Sequence, residues 1–350
     1  MANSDQLDKK DIKPNTRVAV IGTGSWGTAL AVLLAKNELG VNFWGRDSDQ
    51  LKSLKKNRIN SKYLPDIKFP ENLQVHLDLK SCLYDAEEIL LVVPSSGIRQ
   101  TLENIKPYLS QPNSHLNPKI AIASKGLEQT SLKFLHEVAH DVLGKKIEVC
   151  IISGPTFAME VAKGLPTAIT VASNNLKFAN NFANYLSNEH FRAYTSDDII
   201  GVEVGGAVKN VMAIAAGIAD GLGFGANTRA ALITRALVEI SRLGKELGGK
   251  PETFMGMAGL GDLILTCTDN QSRNRRVGLG LANNKSIEEI KTELGQVAEG
   301  ISTTQKIYEL SKKRGIEMPI VEQVYFVLYE NKTPVQAVHE LLARNAGSEF

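Results

Sequence analysis

Several short stretches of this 350-residue chain carry groups whose type and spacing exceed what packing requires. Gly22-Thr23-Gly24-Ser25-Trp26-Gly27 is a GxGxxG pattern between an apolar run, Arg17–Ile21, and a helix-forming stretch from Thr28 to about Asn37. That order suits a dinucleotide. Gly22 makes a tight turn, Gly24 lets a pyrophosphate approach the backbone, and Gly27 lets the helix pack on the sheet with its N–H groups toward the phosphates. A second strand, Val41–Trp44, then leads through Gly45 to Arg46 and Asp47. An acidic residue at this point takes a ribose 2′-OH, whereas an Arg accommodates a 2′-phosphate. Arg46 therefore favours NADPH, or dual use, over NADH alone; the plain alternative is an arginine on a solvated loop.

Three more segments stand out. Ser124-Lys125-Gly126 puts a lysine just past the end of a strand, where open α/β sheets bind ligands. Gly205-Gly206-Ala207-Val208-Lys209-Asn210 puts a lysine and an amide into an apolar, glycine-lined helix. Such a lysine can snorkel to the surface, but the glycines imply a helix or ligand close against that face. Asp262, behind Gly259-Leu260-Gly261, is followed by Ser272-Arg273-Asn274-Arg275-Arg276, and an Arg–Asn pair suits a phosphate dianion because Arg offers a planar fork of donors. His136-Glu137-Val138-Ala139-His140 matches the zinc-peptidase pattern HExxH. No third ligand follows at short spacing, so it reads as the solvated face of a helix from about Ser131 to Leu143 with the apolar stripe Leu132, Leu135, Ala139, Val142 and Leu143. No metal is expected.

The elements that must position these groups come in two kinds. To about residue 195, short apolar runs (Glu88–Val93, Ile120–Ala123, Glu148–Ile152, Ala168–Ala172, Phe191–Thr195) alternate with helical patterns, while Lys52–Lys62 reads as a basic polar segment. This alternation predicts a doubly wound, mostly parallel Rossmann-type sheet over 16–195. Beyond it the strand signal disappears, and Asp198–Asp220, Asn227–Leu247, Ser286–Lys291, Ile301–Arg314 and Pro334–Arg344 read as helices of an all-α domain over 196–350. Residues 1–15 read as a flexible polar tail, neither signal peptide nor anchor. A net charge of +2 is too small for a nucleic-acid or membrane surface. Cys82, Cys150 and Cys267 are too sparse for a disulfide framework or a zinc ribbon and fit a reducing compartment. The apolar stretch near Ile199–Ala219 is broken by Glu203 and Lys209 and reads as a buried helix, so a cytoplasmic protein without membrane insertion is expected.

From about residue 17 to about residue 345 the chain resembles bacterial NAD(P)-dependent glycerol-3-phosphate dehydrogenase. The resemblance rests on GTGSWGTAL, LVVPS, SKGLE, ISGPTFAMEVAKGLPTA, IGVEVGGAVKNVMAIAAGIADGLGFGANTRAALITR, FMGMAGLGDLILTCTDNQSRNRRVG and EMPI. It departs in the polar tail and at Pro94-Ser95-Ser96-Gly97, where the family often has a bulkier last residue. The resemblance implies reversible hydride transfer between NADPH or NADH and dihydroxyacetone phosphate, giving sn-glycerol 3-phosphate for phospholipid synthesis. It implies Lys209 as proton donor and acceptor. Lys125, Gly154, Thr156, Asp262, Ser272, Arg273 and Asn274 would line the substrate. Ser25, Trp26, Arg46, Lys125, Ala158, Arg273, Val297 and Glu299 would touch the cofactor. Hydride delivery leaves charge on the carbonyl oxygen, and a free lysine with pKa near ~10.4 is a sluggish acid unless burial beside a second cation, here Lys125, lowers it. Two other classes stay open: a nucleotide sensor without catalysis, and a reductase of another acid or imine on the same two-domain layout. The oligomeric state is open as well, a homodimer included.

Overall fold

The computed structural model describes residues 16–109 and 119–344, so the segment 1–15 expected as a tail lies outside the described residues. The chain forms two compact units, one running to Ser124 and resuming over Lys133–Ile199, the other made of Lys125–Leu132 and the chain from Ile200 onward. The boundary expected near residue 195 thus falls beside Ile199, and Lys125 is grouped with the helical unit rather than with the sheet whose strand precedes it.

The first unit is built on ten strands: β1 (Arg17–Ile21), β2 (Gly40–Trp44), β3 (Ile59–Asn60), β4 (Leu64–Lys68), β5 (Leu73–Val75), β6 (Glu88–Leu91), β7 (Lys119–Ile122), β8 (Val149–Ser153), β9 (Thr167–Ala172) and β10 (Phe191–Ser196). Eight of them form one sheet in the order β10-β9-β8-β7-β6-β1-β2-β5, and β3 pairs with β4 in a separate hairpin. All pairs in the large sheet are parallel except β8 with β9. Strands covered on both faces need unbroken apolar runs, and Val18 to Ile21 and Ile89 to Leu91 are fully buried. The strand order reverses at β1, which lies between β2 and β6; in such a sheet this is the place where the carboxyl ends open a crevice.

The apolar patterns located the long strands to within a residue or two but missed β5 and the β3–β4 hairpin. Lys52–Lys62 is not an irregular segment: Ser48–Asn57 is a helix burying only Leu51 and Leu54, and its other face is polar enough to hide the 3.6-residue period. The helix after the glycine loop starts earlier than expected, at Ser25. The HExxH helix starts later, at Leu135, after Leu132 takes a left-handed φ of 57°.

Among the described residues the second unit holds no strand. Its longest helix, Ile199–Gly221, is long and apolar enough to cross a membrane, but 94% of its apolar window is buried inside the protein. The glycines in it have a visible reason. A Cβ at Gly205 would stand 2.4 Å from the Ala258 carbonyl oxygen, and one at Gly217 would stand 2.0 Å from that of Arg275. Neighbouring backbones therefore touch this helix directly. The unit also holds Ala226–Glu246, Pro251–Phe254, a wide helical turn at Met257–Gly261, Asp262–Thr268, Arg273–Ala282, Ile287–Leu294, Glu299–Arg314, Pro319–Tyr329 and Pro334–Leu342. The short helices from 251 to 282 and Pro319–Tyr329 were not legible in the sequence, the former because glycines and polar residues interrupt their period.

Candidate active site

At the switch point, β1 ends in Gly22, whose φ of 127° suits glycine and whose missing side chain makes room for the Val92 carbonyl oxygen, 2.4 Å from where a Cβ would sit. A Cβ at Gly27 would lie 1.9 Å from the Gly22 carbonyl oxygen, so the helix Ser25–Lys36 can start here only with glycine. Gly24 is different: nothing lies within 4 Å of its Cβ position. The open space is on the residue that caps the helix without any side-chain hydrogen bond, so first-turn N–H groups stay available to an anion. The loop is braced from the side. The Thr23 carbonyl accepts from Gln50 Nε2 and from Asn60 Nδ2, both at 3.0 Å, and Asn60 also donates to Thr28 Oγ1 at 2.7 Å.

Local structure treats Arg46 and Asp47 differently. Asp47 accepts the N–H groups of Asp49 and Gln50 at 3.1 and 3.0 Å, capping the helix Ser48–Asn57. Its carboxylate is thereby committed, and the exposed Arg46 is the residue presented at the end of β2. Trp26 and Ala158 both pack against the core of this unit, Ala158 at the start of the helix Ala158–Lys163. Gly154 and Thr156 follow β8, with Thr156 Oγ1 donating to the Gly154 carbonyl at 3.3 Å.

In the second unit three charged groups converge. The Asp262 carboxylate, 1% exposed, bridges two ammoniums: Oδ1 accepts from Lys209 Nζ at 2.5 Å and Oδ2 accepts from Lys125 Nζ at 2.6 Å. Lys209 also donates to Thr266 Oγ1 at 2.8 Å, and that hydroxyl donates to the Asp262 carbonyl at 2.6 Å. The approach follows from Gly205. It lies one helical turn before Lys209 on the same face, and its contact with Ala258 carries the chain that ends in Asp262 to the lysine. Burial pulls the Lys209 ammonium down to about 8, Asp262 resists that, and Lys125 adds to it. A lysine poised near neutrality can both give and take a proton.

The remaining candidates are placed less uniformly. Gly217 and Gly278 bring the helix Arg273–Ala282 against Ile199–Gly221, where Asn274 Nδ2 donates to Asn210 Oδ1 at 2.9 Å while Asn274 Oδ1 accepts the Gly300 N–H at 3.0 Å. Asn274 is therefore largely engaged in holding the framework, with one amide hydrogen left, rather than standing open as a clamp. Ser272 caps its helix by accepting the Arg275 N–H at 3.2 Å. Arg273 is exposed and donates to Gln296 at 3.3 Å, Val297 is 61% exposed, and Glu299 opens the helix Glu299–Arg314. Arg275 is structural, buried on the Cys267 carbonyl, Asn270 and Asp220. In the HExxH helix, Glu137 accepts the Phe134 N–H at 2.8 Å and so caps the helix start. His136 and His140 are half-buried rather than solvated, their rings edge to face. Among the described residues no three ligating side chains come together.

Thr266, Gln50 and Asn60 were not legible as supporting residues in the sequence. Thr266 carries the nearest signal, since it lies one helical turn after Asp262; the others are revealed only by their partners.

Comparison with known proteins covers most of the chain. Residues 17–179 match the description "NAD-dependent glycerol-3-phosphate dehydrogenase N-terminus", and residues 198–339 match the C-terminus of the same family. The glycerol-3-phosphate dehydrogenase (NAD(P)+) of Psychromonas ingrahamii is 53% identical over 336 residues, covering 96% of this chain and 99% of that protein. That of Pseudoalteromonas translucida is 53% identical over 333 residues, covering 95% and 98%. The crystal structure of glycerol-3-phosphate dehydrogenase from Coxiella burnetii superposes with a TM-score of 0.90 at 45% identity, covering 94% of this chain and 99% of that one. The chain belongs to the NAD-dependent glycerol-3-phosphate dehydrogenase family.

Proposed function

We propose that this protein is an NAD(P)-dependent oxidoreductase that moves a hydride reversibly between NADPH or NADH and dihydroxyacetone phosphate, giving sn-glycerol 3-phosphate for glycerophospholipid synthesis. The observation that carries the reading is the buried Asp262 carboxylate shared by Lys125 and Lys209. A sensor without catalysis has no use for a buried lysine held near neutral acidity, whereas reduction of a ketone needs such an acid.

The dinucleotide fits the first unit. The open space at Gly24, the uncapped helix start at Ser25 and the position at the switch point suit a pyrophosphate, with Gly22 and Gly27 setting the turn and Arg46 taking a 2′-phosphate. Ser25, Trp26 and Ala158 complete the proposed cofactor residues of this unit, and Lys125, Arg273, Val297 and Glu299 are those proposed on the second. When bound, the nicotinamide supplies the hydride. In the second unit Lys209 protonates the developing alkoxide in reduction and takes the proton back in oxidation. Asp262 orients its ammonium, and Lys125 keeps its acidity high. On the second unit Lys125, Asp262, Ser272, Arg273 and Asn274 are proposed to bind substrate, Arg273 meeting the phosphate; on the first, Gly154 and Thr156 are the proposed substrate residues. We assign residues 16–195 to dinucleotide binding and 196–350 to the substrate. Three buried thiols without disulfides support a reducing, cytoplasmic setting, burial of the apolar helix Ile199–Gly221 inside the protein supports the absence of membrane insertion, and sedimentation distinguishes monomer from homodimer.

The test is a spectrophotometric assay of NADPH oxidation with dihydroxyacetone phosphate, run with and without a chelator. Lys209→Ala should lower the rate roughly 10²–10⁴-fold while NADPH binding is kept. A folded variant with near wild-type turnover would reject Lys209 as the acid.

A further inference from the structure

Lys306 is 1% exposed, one of the largest fully buried side chains of the protein, and no part of the reaction described above uses it. It sits on the helix Glu299–Arg314, and its Nζ donates to the Leu127 carbonyl at 2.8 Å. Burial lowers its ammonium's pKa, while Glu299 on its own helix and Glu128 on the facing segment raise it. Burying an ammonium costs stability unless it is paired, so an apolar side chain would serve packing alone better.

The partner it has chosen is informative. Leu127 lies two residues after Lys125, in the segment Lys125–Leu132 that packs with the second unit although Ser124 and Lys133 belong to the first. Between the two lies Gly126, whose φ of 135° is a conformation side chains rarely adopt, so the turn has a defined shape. The segment is gripped on both sides of that turn: Lys125 on Asp262, and the Leu127 carbonyl on Lys306. We infer that Lys306 is a positioning residue for the reaction: by holding the Leu127 carbonyl it keeps Lys125 on Asp262 and so sets the proton donor Lys209. The inference rests on the catalytic reading of Lys125, Asp262 and Lys209 given above.

Lys306→Met removes the donor while keeping all but the last atom of the side chain's length. Its kcat for ketone reduction should fall about 10- to 100-fold, the usual cost of misplacing a reacting group by an ångström. The charges acting on Lys209 are Asp262 and Lys125, with the Cys267 thiol nearby, and Lys306 is not among them. A change in the pH profile must therefore travel through Lys125. With that cation displaced, Lys209 holds its proton more tightly, and the alkaline limb of kcat should move to higher pH. In a Lys125→Met background, Lys306→Met should change kcat by less than about threefold, because residues acting through one another are not additive. Unchanged kcat and pH limb in the single variant overturn the inference, as do losses that multiply in the double variant. A Lys125→Met enzyme with wild-type kinetics overturns the catalytic reading itself; a loss there with none in Lys306→Met overturns the role of Lys306 alone. Should Lys306→Met not be recovered folded, Lys306→Gln, which shortens the reach of the donor and removes its charge, is read against the same outcomes.

Discussion

Replacing Asp262 with Asn is the most demanding perturbation of the proposed chemistry, because it changes one charge and almost no volume. The carboxylate is 1% exposed and lies 2.5 Å from Lys209 Nζ and 2.6 Å from Lys125 Nζ. At an effective dielectric constant of about 20, a charge pair at that distance is worth roughly 6–7 kcal/mol before any compensation by the amide that replaces it. Even a quarter of that, about 1.4–2 kcal/mol, moves a titration by at least 1 pH unit or so. The sign is downward. Asp262 favours the charged lysine, whereas burial and Lys125 oppose it, so its removal lets both dominate and carries Lys209 downward from about 8. The protonated fraction at a pH of about 7.5 would then fall at least about 3-fold. The assay is the pH dependence of kcat for dihydroxyacetone phosphate reduction at saturating NADPH. Wild type should lose activity as pH rises through about 8, and Asp262→Asn should show the same limb at least 1 unit or so lower, with partial recovery in acid. A limb that stays in place or moves upward would refute the assignment of that titration to Lys209 and Asp262.

Arg46→Ala should weaken NADPH about 10- to 150-fold and leave NADH nearly unchanged, following the ~1.5–3 kcal/mol of a hydrogen bond to a charged group; equal weakening of both would mean that Arg46 does not read the 2′-phosphate. Glu88, 4% exposed on β6, is pushed up to about 8, chiefly by burial, with Lys119 opposing. Folded protein therefore keeps a proton that unfolded chain loses above the ordinary 4.5, and stability drains away as pH rises from there through about 8. Glu88→Gln should flatten that decline in urea titrations at several pH values, by on the order of a few kcal/mol at the alkaline end, and a wild-type slope would count against it. His136→Ala with His140→Ala should leave dehydrogenase activity and metal content unchanged, which elemental analysis checks directly.

The sheet was legible wherever burial on both faces imposed an unbroken apolar run. Val18 to Ile21 and Ile89 to Leu91 could be read as strands because any polar residue there would be stranded without water. β5, three residues with one exposed position, and the hairpin of β3 and β4 leave no such trace. The helix Ser48–Asn57 was hidden for the converse reason: two buried leucines are too few to mark a period. The glycines in Ile199–Gly221 did announce that something lies close against them, but not that the neighbour is backbone from Ala258 and Arg275.

The sequence by itself determined the glycine turn, Arg46 at the end of the second strand, and the lysines and carboxylate that would carry the chemistry, because each depends on residue type and nearest neighbours. Only the tertiary structure decided how those groups are used. Asp47 could have competed with Arg46 until its carboxylate was found capping the next helix. Asn274 reads as a ligand clamp, yet its amide also joins Asn210 to Gly300, which leaves one amide hydrogen for a ligand. Lys306 looked like any lysine on an amphipathic helix, yet it is buried on a carbonyl 179 residues away in the chain. Lys125, Lys209 and Asp262 are likewise separated by 53 to 137 residues. A charge acquires its acidity from the burial and the partners around it, and those are properties of packing that no local stretch of sequence contains.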